Sequence, residues 1–297
     1  MKIFLTIVLI MGMLETHAGE ADSLLPVRGG YELARDSRTG YRLFSRLASI
    51  SAKLKLYPLA MRCYFKAMEC KARAGDGVGD DPTTDDSIPD GHFLGLEDTR
   101  DSIWTSRPIR IAEILAAFDD GKVARSYAVL VQVKQPAPGK RKAFTHINNV
   151  GHMFITLIKY NTDTSTVVRS FGFYPHKKNF FSGTPMHPKA PSDVKDDRWH
   201  PWDEAVGKFV NADRFGRLLG VLKSFDGKIY DLNNNNCTDF GLTLASQAGI
   251  SIRETRGRWP FGRGNNPANA GQSMLEGKYN DVDVHDEVAF FSYIKSL

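Results

Sequence analysis

Two residues in this chain are placed to do nucleophilic chemistry together. Cys237 stands in Asn233-Asn234-Asn235-Asn236-Cys237-Thr238-Asp239-Phe240, where a polar stretch gives way to an amphipathic pattern running to Ala248 and stopping at Gly249. Glycine just past a helix end is a natural C′ residue. With Asn236 as N-cap, its side chain accepts from the backbone N–H of Thr238 or Asp239. Cys237 then becomes the first helical residue, beside the positive end of the helix dipole, where a thiolate is favoured. Free N–H groups in that first turn are suited to holding an oxyanion, and Asn236 and Thr238 are the expected support. Phe240, Leu244 and Ala248 would bury one side of the helix, with Gly241 permitting close approach. His152 follows Gly151 at the head of the apolar run Met153-Phe154-Ile155-Thr156-Leu157-Ile158. The first residue of a strand can project from the sheet edge toward a helix end, so His152 is the candidate base. The separation in sequence, 237 − 152 = 85, says nothing against contact, because such partners meet through the fold.

A third group should orient the imidazole. Folding a hairpin about Asp163 places Tyr174 opposite His152 and His176 two positions along the same face, within reach of long side chains. His176 is the first choice, with Ser170 and Asp239 behind it. Other readings of the same residues exist. Asn236-Cys237-Thr238 matches a glycosylation sequon, though a glycan fits badly at a helix start beside a buried face. His152, His176 and Cys237 would supply three zinc ligands, but without the short paired spacing such sites use.

The elements that must position these groups are mixed. Tyr41 to Ala74 repeats an apolar face through Leu43, Leu47, Ile50, Leu54, Leu59, Tyr64 and Met68, with a break at Pro58, which predicts a helical hairpin. Ile109 to Phe118 and Asp213 to Phe225 also read as helices. Tyr127 to Val133, His152 to Tyr160 and Thr166 to Tyr174 read as strands, the last two joined by a turn at 161–165 into an antiparallel hairpin. Phe290 to Ile294 would close the sheet, and Met186 to Pro201 reads as loop. Strands packed against segregated helices define an α+β domain with an antiparallel sheet.

Residues 1–18 carry the pattern of a secretory signal peptide: Lys2, an apolar run Ile3 to Leu14, then Thr16-His17-Ala18. The mature chain is expected to start near Gly19 and to be secreted or periplasmic; an uncleaved N-terminal anchor is the alternative. No later segment is apolar enough to span a membrane. The division is then residues 19–74 as a helical N-terminal region, 75–91 as a Gly/Asp/Pro-rich linker, and 92–297 as the main domain. The linker's aspartates lack the ordered ligand pattern of an EF-hand. The net charge of +5 over 297 residues is spread along the chain, so nucleic-acid binding is not favoured. Cys63 and Cys70 lie seven positions apart on a helix, roughly 10 Å along its axis, beyond disulfide reach. They read as small buried residues, leaving Cys237 as the thiol with a motif around it.

The order of these pieces resembles a known group. Gly151-His152 opens one strand, Ser170-Phe171-Gly172-Phe173-Tyr174-Pro175 forms an aromatic one, and Asn236-Cys237-x-x-Phe240 begins a helix. This is similar to the circularly permuted papain-like cysteine hydrolases, a group that includes relatives of lecithin–retinol acyltransferase, PPPDE-type isopeptidases and permuted NlpC-type amidases. The likeness covers Tyr127 to Gly249, and Gly264-Asn265-Asn266-Pro267-Ala268-Asn269-Ala270-Gly271 is similar to a Pro/Gly tail of bacterial members. It implies a permuted papain-like fold, Cys237 as nucleophile, His152 as base, and acyl transfer through a thioester with no metal or organic cofactor. The implied substrates are peptides, protein amides or acyl lipids. An exported cysteine amidase or peptidase acting on cell-wall peptides or protein amides is the leading expectation, with a lipid acyltransferase or esterase on the same site, or a non-catalytic scaffold, as alternatives. In the scaffold reading the N-terminal helices would recruit a protein partner.

Overall fold

The computed structural model describes residues 37–74, 106–143, 150–178, 181–283 and 288–293. The signal-like segment and the 75–91 linker lie outside the described residues. Among the described residues there are six helices: α1 (Ser37–Lys53), α2 (Tyr57–Ala74), α3 (Ile111–Phe118), α4 (Ala212–Lys223), α5 (Cys237–Ala248) and α6 (Pro267–Leu275). The longer strands are β2 (Ala124–Lys134), β3 (His152–Asn161), β4 (Thr166–Pro175) and β7 (Glu204–Val210), and the shorter ones are β1 (Arg107–Pro108), β5 (Lys189–Ala190), β6 (Ser192–Asp196), β8 (Tyr230–Asp231), β9 (Ile250–Ile252), β10 (Arg256–Trp259), β11 (Gly262–Asn265), β12 (Tyr279–Asp281) and β13 (Ala289–Ser292). The chain is α+β: a seven-stranded sheet of order β1-β6-β4-β3-β2-β7-β13, antiparallel throughout, with helices on both faces.

Alternation along the strands builds two cores. Val129, Val131 and Val133 of β2 and Met153, Ile155 and Leu157 of β3 face α3, α4, α5 and α6, where Phe240 and Leu244 are fully buried. Their neighbours Leu130, Phe154 and Ile158 face the α1–α2 hairpin and pack on Ala52, Ala60, Met61 and Cys63. The described part of the helical N-terminal region is therefore packed on the main sheet as a second layer of the fold. Burial pushes the Cys63 thiol up to about 12, Arg62 only partly offsetting it. Among the described residues no helix is long and apolar enough to cross a membrane.

The expected hairpin forms, with Tyr160 paired to Thr166 and Phe154 to Gly172, which sets Tyr174 across from His152. The segment read as loop between 186 and 201 is instead where β5 and β6 lie. Ser192-Asp193-Val194-Lys195-Asp196 carries no apolar alternation, because its pairing with β4 is made by the backbone. The 264–271 stretch holds the end of β11 and the start of α6, capped by the Asn266 side chain accepting from Asn269 N–H, with Pro267 in the first turn.

Helix α5 is anchored mainly by Phe240, whose ring meets Phe225 at 4.9 Å, Phe173 at 5.6 Å and Phe171 at 6.2 Å between centroids. Phe240→Ala is expected to cost about 3–5 kcal/mol. A shift of the urea midpoint without a change in slope would report it.

Candidate functional site

The cysteine helix begins as its sequence dictates. Asn236 is the N-cap; its Oδ1 accepts from Thr238 N–H at 2.7 Å and Asp239 N–H at 3.1 Å, while Asp239 Oδ2 accepts from Asn236 N–H at 3.0 Å, closing a capping box. Asn236 Nδ2 donates to the carbonyls of Leu232 and Asn265, both at 2.8 Å. That amide is buried and fully used, so it carries no glycan. The helix ends at Gly249, whose φ of +85° is the left-handed cap conformation.

The cap also revises the expected oxyanion support. Thr238 N–H and Asp239 N–H are consumed by Asn236, so neither is free for a developing negative charge. What remains is the Cys237 N–H, which faces the Tyr230 hydroxyl. Tyr230 lines the same small cavity as Cys237, about 30 Å³, together with Gly151, Leu232, Trp259 and Pro267. That is room for about one water molecule. The Cys237 N–H and the Tyr230 hydroxyl therefore belong to residues that line the same cavity as the sulfur.

His152 is buried at the start of β3, where Gly151 turns the chain with φ +72°. A Cβ on Gly151 would lie 2.5 Å from the Lys134 carbonyl oxygen, so only glycine fits. By alternation His152 shares a face with Phe154, and its ring stacks on that phenyl at 5.9 Å. Helix α5 packs on the opposite face, but its N-terminus comes to the end of the sheet where β3 begins, and there the thiol is a hydrogen-bond neighbour of the imidazole. The other contact of the ring is a buried ion pair: His152 Nε2 lies 3.0 Å from Asp197 Oδ2. That leaves Nδ1 as the ring nitrogen for the sulfur. Burial pulls the imidazole down, but the charge and hydrogen bond of Asp197, then those of Cys237, more than reverse this and push it up to about 9.

Asp197 is itself held by three donors. Besides His152, Ser106 Oγ donates to its Oδ1 at 2.6 Å and Tyr174 OH at 2.7 Å. Burial alone would raise this carboxyl; the imidazolium and these hydrogen bonds hold it below the usual carboxylate range. Tyr174 lies 4.2 Å from the His152 ring between centroids, and so clamps both members of the pair. His200 packs 4.9 Å from His152 on the other side. Burial and the neighbouring imidazolium lower it to about 4, and with its Nδ1 2.7 Å from the Pro201 carbonyl it stays neutral. The turn between α1 and α2 reaches this loop, where Lys55 Nζ donates to the Trp199 carbonyl.

His152 and Cys237 therefore meet, while the third residue differs from expectation. His176 is half-exposed and its Nδ1 pairs with Asp193 at 2.9 Å, so the imidazole of His152 is oriented by Asp197 instead. This also removes the three-residue zinc set. Of the reserves, Ser170 Oγ bonds Thr156 Oγ1 at 2.7 Å and Asp239 serves the helix cap. Asp197 sits one residue past β6, and only the pairing of that polar strand with β4 brings it to the ring. Tyr230 and Ser106 carried no local signal at all.

The pair needs Gly172 beneath it. A Cβ there would lie 2.3 Å from His152 Nε2 and 2.4 Å from Asp197 Oδ2. Gly172→Ala is expected to force the ring and carboxylate apart, lowering the reactivity of Cys237 together with the melting temperature. Alkylation rates and thermal unfolding would both have to stay at wild-type values for this account to be wrong.

Comparison of the chain with protein-family models, curated proteins and solved structures finds no match in any of the three.

Proposed function

We propose that this protein is a cysteine hydrolase of amide bonds, in which Cys237 is the nucleophile, His152 the general acid and base, and Asp197 the group that orients and charges the imidazole. The observation that carries the reading is the buried line of three: a cysteine at a helix start, a histidine beside its sulfur, and a carboxylate behind the ring. Each link has the form that nucleophile activation requires. The order of histidine before cysteine remains similar to the permuted papain-like group.

The Cys237 thiolate attacks the carbonyl carbon, and the oxyanion is met by Cys237 N–H and the Tyr230 hydroxyl. Collapse expels the amine, which takes its proton from the His152 imidazolium, leaving a thioester. Neutral His152 then removes a proton from water, whose oxygen attacks the thioester. The second collapse returns the thiolate and the imidazolium. No metal or organic cofactor enters these steps.

The surroundings favour a peptide or protein amide over an acyl lipid. Next to the cysteine cavity, and sharing Asn265 with it, lies an open basin of about 660 Å³ lined by Arg141, Glu254, Thr255, Arg256 and Asn269. Each of these is polar, whereas an acyl chain needs an apolar groove. An exported location goes with this reading and rests on residues 1–18; a mature N-terminus near Gly19 would support it. The test of function is acylation of Cys237 by activated amides and esters, followed by intact mass. A full acyl adduct that hydrolyses on dilution supports turnover, and a protein that takes up no acyl group would be the inert scaffold.

A further inference from the structure

The two-stranded β10–β11 ribbon stands beside the cysteine cavity with a charge pattern that the fold does not need. Its two sides are unlike. Gly257, Gly262 and Gly264 give one side almost no bulk. A Cβ on Gly262 would lie 2.3 Å from Asn233 Oδ1, and one on Gly264 2.4 Å from the Asn233 carbonyl oxygen, so the ribbon lies flat on the asparagine turn that leads into Cys237. Trp259, on that same side, lines the cysteine cavity. The other side carries Arg256, Arg258 and Arg263, all exposed. Arg258 and Arg263 are register partners, so their side chains leave the same face directly opposite each other. Like charges in that position destabilise a ribbon. At the turn between the strands Phe261 is 86% exposed with φ +65°.

Two neighbouring cations are neutralised. Arg141 pairs with Glu276 at 2.7 Å and lies 3.6 Å from Glu254, and Lys278 pairs with both carboxylates. Arg256 is within electrostatic reach of Asp239 in the first turn of α5, which places it near the nucleophile. No ion pair among the described residues involves Arg258 or Arg263. Two opposed guanidinium groups without an acid between them are a ready fork for a carboxylate.

We propose that the β10–β11 ribbon is the arm that receives substrate, and that it selects acidic peptides. A carboxylate side chain near the scissile amide pairs with Arg258 and Arg263, Arg256 attracts the chain toward the basin, and the amide reaches Cys237 past Asn265. This inference rests on the cysteine-amidase reading, and it adds the charge of the substrate.

The test uses the full chain and two peptide Michael acceptors with the same electrophile, one preceded by three glutamates and the other by three glutamines. The glutamate probe is expected to modify Cys237 about tenfold faster than the glutamine probe at low salt, with the ratio falling toward one in R258Q/R263Q and as salt rises. Arg217→Gln, on the exposed side of α4, should keep the wild-type ratio. R258E/R263E should reverse the preference toward a lysine-bearing probe, an outcome a misfolded variant would not give. A ratio near one in the wild type overturns the proposal even if iodoacetamide modifies Cys237 rapidly. If iodoacetamide reacts no faster at Cys237 than at Cys63, the hydrolase reading fails instead. Anisotropy of fluorescein-labelled hexaglutamate then decides the arm: binding lost in R258Q/R263Q supports it, and no binding overturns it. Equal competition by inorganic polyphosphate would also overturn it, because the fork would then be a general anion site.

Discussion

Replacing His152 by alanine is expected to slow alkylation of Cys237 by iodoacetamide near neutral pH by on the order of 10²-fold, and to lower amide hydrolysis by about 10²- to 10⁴-fold. The reason is electrostatic as well as geometric. In the proposed mechanism the imidazole takes the proton of the sulfur, and the resulting imidazolium is the acid that the leaving amine needs. Cys63 provides an internal reference in the same molecule, because burial pushes its thiol up to about 12. Rates for each cysteine, read by peptide mapping, separate a local effect from unfolding. If Cys237 were alkylated in His152→Ala as fast as in the wild type, the histidine would not be its base. The substitution also leaves the Asp197 carboxylate buried without its cation, so some loss of stability should accompany the kinetic effect.

Asp197→Asn is expected to act through pH. In the wild type the imidazole keeps its proton up to about pH 9, where an ordinary histidine loses it at 6.5. The folded chain therefore binds this proton more tightly than the unfolded chain does. The pair stabilises the fold fully below about pH 6.5, and that contribution, on the order of 3 kcal/mol, is lost as pH rises through about 9. Without the carboxylate, burial acts unopposed by its largest counterweight and the ring loses its proton at lower pH. The variant should show reduced Cys237 alkylation at pH 7 to 8 with recovery only in alkali, and a melting temperature that depends less on pH between about 6.5 and 9. Unchanged pH profiles for both alkylation and melting would show that Asp197 neither charges nor orients the ring. Tyr174 and Ser106 hold Asp197 from the far side, so their loss should move the same profiles in the same direction by less.

Local sequence determined the parts whose physics is local. The asparagine cap, the first-turn position of Cys237, the amphipathic run behind it and the glycine that ends it all follow from bonds made within a few residues. The β3–β4 hairpin was legible because alternation and a turn set its register, and that register put Tyr174 across from His152. Tertiary structure alone decided which carboxylate faces the imidazole. Asp197 is delivered by β6, a strand with no apolar periodicity, since its stability comes from backbone pairing to β4 and not from side-chain burial. His176 looked better placed by counting along the strand, yet it lies where the sheet meets solvent and finds Asp193 there. The buried carboxylate that raises the histidine against its desolvation, and the removal of two first-turn N–H groups by the cap, are likewise properties of packed neighbours. A single strand's pattern records which of its faces is apolar, but not what another strand brings to its polar end.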